Sequence, residues 1–80
     1  MRFTASKTTG ILRAWNDDKT KCFAIAGTIK ALLEARILLE CDADPDRWLI
    51  VPQDLDKPEQ RGNTYSSKEE CKAAMQKLFG

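Results

Sequence analysis

The sequence predicts one α+β domain over residues 1–80: a small antiparallel sheet of three to five strands with two helices packed on one face, in the order ββα-ββα. Two observations predict it. Short apolar or alternating runs typical of strands are separated by polar turns, and an amphipathic helical pattern ends each half of the chain. Eighty residues allow one small core, because a chain of this size buries only about 60% of its unfolded surface.

The first third of the chain is typical of two or three antiparallel strands. "RFTASKT" is short and threonine-rich, and "ILRAW" and "KCFAIAG" flank the polar turn "NDDKT", which indicates a hairpin. Alternation along "KCFAIAG" places Phe23 and Ile25 on one face and Cys22, Ala24 and Ala26 on the other. The small residues predict a central strand in close contact with another element.

The first helical pattern begins after Gly27. Thr28 is a suitable N-cap, and four apolar residues fall on one helical face at Ile29, Leu32, Leu33 and Ile37. We expect this helix to extend to about Glu40. An alternative makes "RILLEC" a strand paired with "RWLIVP", so the state of residues 36–41 stays open.

The second half repeats this plan without repeating its residues. "RWLIVP" predicts a strand ended by Pro52, the polar residues 53–63 predict a long loop, and "TYSS" predicts a short strand. "SSKEECKAAMQKLF" predicts a helix that begins with a capping box, Ser66 with Glu69 or Ser67 with Glu70. Its apolar face comprises Cys71, Met75, Leu78 and Phe79.

Composition excludes several classes of protein. Thirteen basic residues nearly balance twelve acidic ones, which argues against an acidic mimic of nucleic acid and against a histone-like protein. The three cysteines lack paired spacing, so free thiols in a reducing compartment are expected. The first ten residues contain no signal-peptide pattern, and no apolar run approaches a membrane span. We therefore expect a soluble cytoplasmic protein with no membrane partner.

The sequence contains no convincing catalytic or metal-binding motif. The chain has no histidine and no glycine-rich phosphate loop, so histidine-based catalysis and nucleotide hydrolysis are excluded. Asp42, Asp44 and Asp46 imitate the start of a calcium loop, but Arg47 occupies the position that needs glycine. A type I turn over residues 44–47 is the better interpretation. We expect no enzyme, metal or cofactor.

The sequence also contains a nuclease-like pattern, Pro45-Asp46 followed by Glu70 and Lys72, but its geometry argues against a nuclease site. Its carboxylates and lysine must converge on a metal, whereas Glu70 and Lys72 point about 200° apart on the predicted helix.

Two groups of residues are candidates for contacting a partner. The N-terminal hairpin and its turns carry a basic and aromatic set, comprising Arg2, Lys7, Arg13, Trp15, Lys19 and Lys21. The long loop carries Asp54, Asp56, Lys57 and Arg61. Trp15, Trp48 and Tyr65 could form an exposed aromatic platform, although tryptophan in so small a domain is more often core. The plain alternative for the basic residues is a solvated outer face of the sheet, which is favoured by Asp17 and Asp18 because they interrupt the basic patch.

These features predict a small non-catalytic protein-binding module, an inhibitor or adaptor that docks on and occludes a protein or ribonucleoprotein partner. Its size and lack of catalytic motifs are similar to those of small phage and mobile-element inhibitors, including anti-CRISPR proteins. The alternative is a nucleic-acid-binding domain that uses the basic N-terminal hairpin. The working surfaces are expected to be the uncovered sheet face and the loop 53–63.

Overall fold

A computed structural model describes residues 1–53 and 63–79 of the chain. The elements in these residues are β1 (Arg2–Ala5), β2 (Leu12–Trp15), β3 (Cys22–Thr28), α1 (Ile29–Glu34), β4 (Trp48–Pro52), β5 (Thr64–Tyr65) and α2 (Lys68–Phe79). The strands form one antiparallel sheet in which spatial order equals chain order, β1-β2-β3-β4-β5. The α+β class and the antiparallel sheet are confirmed, whereas the predicted ββα-ββα order is corrected to βββα-ββα.

Two hairpins build the first half of the sheet, as the turn residues predict. In the β1–β2 turn, Gly10 has a φ of 75°, which glycine adopts without steric cost. In the β2–β3 turn, the Asn16 side chain accepts a hydrogen bond from the Lys21 N–H and donates one to Thr20 Oγ1. The hairpin around "NDDKT" and the central position of β3 are both confirmed.

The two helices cover opposite faces of the sheet, so the prediction that both lie on one face is wrong. Helix α2 packs on a cluster that includes Ala24 and Ile50, whereas α1 packs on a cluster that includes Leu49 and the half-buried Ile25. Neighbouring residues of a strand point to opposite faces, and Leu49 and Ile50 are both fully buried. The uninterrupted apolar run in "RWLIVP" was the sequence signal for a strand covered on both sides.

Helix α1 ends at Glu34 rather than at about Glu40. Its predicted cap is confirmed, because Thr28 Oγ1 accepts a hydrogen bond from the Ala31 N–H. Its end is a Schellman motif: the Ile37 N–H bonds to the Leu32 carbonyl, and Arg36 takes the left-handed position with a φ of 59°. Glycine usually occupies that position, so an arginine there does not mark a helix end. Residues 36–41 form neither the predicted helix nor the alternative strand.

The acidic stretch forms the predicted turn, which also completes α1. The Arg47 N–H bonds to the Asp44 carbonyl, and the Asp46 N–H bonds to Asp44 Oδ1. Carbonyl groups of this turn then accept hydrogen bonds from the first two N–H groups of α1, Pro45 from Lys30 and Arg47 from Ile29. Since helix N-termini leave such donors unpaired, the turn acts as an external cap.

Helix α2 begins with the predicted capping residues. Ser67 Oγ accepts a hydrogen bond from the Glu70 N–H, while the Glu70 carboxylate accepts hydrogen bonds from the Ser66 N–H and hydroxyl, at 3.1 and 2.7 Å. Of the predicted apolar face, Cys71 and Met75 are fully buried, whereas Leu78 is 39% exposed.

Replacing Glu70 by glutamine should make the free energy of unfolding less dependent on pH in the acid range. Hydrogen bonds from Ser66 hold the pKa of the Glu70 carboxyl below its ordinary value of 4.5, so folding favours the charged form. The charged Glu70 carboxylate contributes its full stabilisation at pH values above the ordinary pKa. This contribution is lost as the pH falls through the lowered pKa of the folded state. Urea unfolding across the acid range tests this, with Glu69→Gln as the matched control. An unchanged pH dependence in Glu70→Gln would contradict the assignment.

Candidate binding surface

The sheet face that carries α1 is only partly covered. Helix α1 and the segment after it lie over β3 and β4, where Ile29, Leu32 and Leu38 pack on Leu49. The β1–β2 part of this face carries four neighbouring side chains, none of them fully buried, which we call the open surface: Arg2, Thr4, Arg13 and Trp15. Cross-strand pairing places Arg2 beside Trp15 and Thr4 beside Arg13.

Trp15 is the centre of the open surface. Its side chain belongs to neither apolar cluster of the described residues, and its indole Nε1–H donates a hydrogen bond to Thr4 Oγ1 at 2.8 Å. The polar tip of the ring is therefore satisfied within the protein, and the ring is positioned between two arginines. Aromatic and arginine side chains in such an arrangement suit contact with a macromolecule.

The predicted aromatic platform is not assembled. Trp48 and Tyr65 are cross-strand partners, and both pack against the α2 cluster on the opposite face from Trp15. Thr4, which positions Trp15, was missed from the sequence. The register of the first hairpin would have identified it, because it places Thr4 diagonally from Trp15.

A β-bulge changes which residues border the open surface. Ala14 pairs with Ala24 but Trp15 pairs with Cys22, so Phe23 is the extra residue. Phe23 stacks on Phe79 of α2, with ring centroids 6.4 Å apart. Cys22 lies close enough to Arg13 for the two to interact electrostatically. The predicted common face of Cys22, Ala24 and Ala26 therefore holds only for the two alanines.

Burial makes two of the three thiols, Cys22 and Cys71, poor nucleophiles. Burial raises the pKa of Cys71 to about 12 and also raises the pKa of Cys22, although a backbone hydrogen bond with Ala24 and the Arg13 charge act in the opposite direction. Thiolate is the reactive form, so both thiols stay largely protonated at neutral pH. The predicted burial of Cys71 is confirmed, and Cys22 is half-buried.

The predicted basic set divides between two ends of the sheet. Lys19 and Lys21 lie in the β2–β3 turn beyond Trp15, with Lys21 Nζ 5.7 Å from the Phe23 ring centroid. Lys7 lies in the β1–β2 turn at the other end. Asp17 binds the N-terminal ammonium at 3.1 Å. The four loop candidates Asp54, Asp56, Lys57 and Arg61 lie outside the described residues.

Two aspartates, Asp18 and Asp44, form hydrogen bonds that stabilise turns. Hydrogen bonds from Thr20 lower the pKa of Asp18 in the β2–β3 turn, and Asp44 closes its own turn. Within residues 1–53 and 63–79, no group of three or more His, Cys, Asp or Glu side chains is placed to hold a metal ion. The lysine of the nuclease-like pattern, Lys72, lies with its Nζ 5.0 Å from the Phe3 ring centroid.

Comparisons of the chain with protein-family models, curated proteins and solved structures find no match. None of the helices in the described part of the chain is long and apolar enough to cross a membrane.

Proposed function

We propose that the protein is a small non-catalytic binding module, an inhibitor or adaptor that docks on a protein or ribonucleoprotein partner through the open surface. The observation that carries the proposal is the position of Trp15, set between Arg2 and Arg13 with its N–H already bonded to Thr4. Tryptophan and arginine are the residues that most often dominate binding energy at protein interfaces. A ring that is already positioned loses less conformational entropy on binding.

Arg13→Glu and Trp15→Ala should each weaken capture of the partner by about tenfold or more. The tagged protein is incubated with a lysate of its host, with and without nuclease, and the retained macromolecules are quantified. Lys30→Glu is the matched control, because Lys30 is an exposed lysine at the start of α1 and is not one of the four residues of the open surface. Melting temperatures of all variants establish that they are folded.

The outcomes separate the candidates. A retained protein that survives nuclease and is lost with Arg13→Glu supports the proposal. Empty capture, or equal retention by all variants, contradicts it.

The second candidate is a nucleic-acid-binding domain that uses the same hairpin. The observation in its favour is again the aromatic ring flanked by arginines on a sheet, since bases stack on such rings while arginines contact phosphates. Here, binding to labelled single-stranded DNA or RNA should weaken steeply with salt, and Arg13→Glu with Lys21→Glu should reduce the salt slope. Binding that these changes leave unaltered would contradict it.

The narrower hypothesis, an inhibitor carried by a phage or mobile element such as an anti-CRISPR protein, rests on chain length and on the missing histidine and phosphate-loop motifs.

A further inference from the structure

Strand β1 is an edge strand of the sheet. It pairs with β2 on one side, and no other described strand lies on its outer side. The Ser6 N–H bonds to the Ile11 carbonyl, while the Ile11 N–H bonds to Thr9 Oγ1, so one of the two bonds of a hydrogen-bonded pair joins Ser6 and Ile11. Because such pairs alternate with non-bonded ones, Phe3 and Ala5 direct their N–H and C=O groups outward. These groups can therefore accept another strand.

Positive charge flanks this edge on both faces. Arg2 is exposed on the open surface, and Lys72 of α2 reaches over Phe3 on the opposite face, with its Nζ 5.0 Å from the ring centroid. Residues 1–10 contain no Asp or Glu. An incoming strand would meet a cation whichever face its side chains occupied.

We propose that β1 accepts an extended acidic segment of a protein partner as an additional strand. Main-chain hydrogen bonds to Phe3 and Ala5 would supply affinity, and carboxylates beside Arg2 and Lys72 would supply specificity. A second copy of this chain fits less well, since pairing two β1 edges would bring basic groups together. The inference rests on the proposed function only in taking the partner to be a protein.

Proline at position 5 tests the edge directly. Ala5→Pro removes an outward N–H that the β1–β2 ladder does not use, and proline is tolerated at such positions of edge strands. Ala5→Val is the matched control because it retains the N–H and favours a strand. The probe is a short fluorescein-labelled peptide that alternates glutamate with valine, and its binding is measured by fluorescence anisotropy at low salt.

The peptide should bind the wild type and Ala5→Val alike, and bind Ala5→Pro about tenfold more weakly, as expected for one lost hydrogen bond with its neighbours. Arg2→Glu with Lys72→Glu should also weaken binding, whereas Lys30→Glu should not. A peptide that alternates lysine with valine should not bind.

Three results would overturn the inference: no binding of the acidic peptide to the wild type, equal binding by the proline and valine variants, or a dimer of the chain that Ala5→Pro dissociates. The last result would assign the edge to a second copy. Failure here is distinct from failure of the proposed function, because capture that depends on Arg13 and Trp15 can persist when Ala5→Pro has no effect.

Discussion

Replacing Leu32 by alanine should lower the free energy of unfolding by about 2–5 kcal/mol, a large part of the total for a domain of this size. Leu32 is fully buried and packs with Ile29 and Leu49 where α1 covers the sheet. Helix α1 has only six residues, too few to be stable without tertiary packing. The loss of this side chain should therefore loosen α1 as well as leave a cavity.

Leu39→Ala is the matched control for this prediction. It makes the same chemical change in the segment that follows α1, but Leu39 is 86% exposed. Its effect should stay within about 0.5 kcal/mol. Urea unfolding followed by circular dichroism measures both variants, and similar losses of stability in the two would show that Leu32 does not anchor α1.

Replacing Ala24 by leucine should destabilise the protein by about 1–3 kcal/mol. Ala24 is fully buried beside its cross-strand partner Ala14, in the cluster that also contains Cys71 and Met75 of α2. These small side chains allow α2 to lie close to the centre of the sheet. A larger side chain would push α2 outward and expose the cluster.

The control for overpacking is Ala73→Leu, which adds the same atoms on the exposed side of α2. Leucine and alanine both favour helices, so this variant should retain nearly the wild-type stability. The measurement is the urea midpoint and the slope of the transition. A stability for Ala24→Leu equal to that of Ala73→Leu would indicate spare space beneath α2.

Local signals in the sequence predicted much of the fold. The Asn16 turn, the Thr28 cap, the Ser67 cap and the turn at Asp44 all depend on hydrogen bonds between residues close in the chain. Such interactions are encoded within a few residues, so residue type and spacing identify them.

The features that the sequence did not reveal depend on tertiary contacts. Which face of the sheet α1 covers depends on packing against Leu49, which is buried on the opposite face from Ile50. The end of α1 uses an arginine, Arg36, in a position that normally signals itself by glycine. The bulge at Phe23 shifts the alternation of β3 without any glycine to mark it.

In the candidate site, too, features encoded by nearby residues were predictable, whereas those that depend on tertiary contacts were not. Arg13 and Trp15 alternate along β2 and so share one face of it, and the hairpin brings Arg2 next to them. Lys7 was grouped with them by sequence distance alone, whereas the strands carry it to the far end of the sheet. Thr4 became recognisable only once the register of β1 against β2 was known.

The agreement between strand order and chain order has a consequence for the route of folding. Each strand pairs with its neighbour in the chain, so no pairing skips an intervening strand, and the β1–β2 and β2–β3 hairpins close short loops, which favours rapid folding. Helix α2 is the exception, since it contacts β3 and β4 from far along the chain. During synthesis the hairpins can form before Lys68–Phe79 has left the ribosome. Until α2 packs, the sheet face that carries Ala14, Ala24 and Ala26 stays exposed to water and to chaperones.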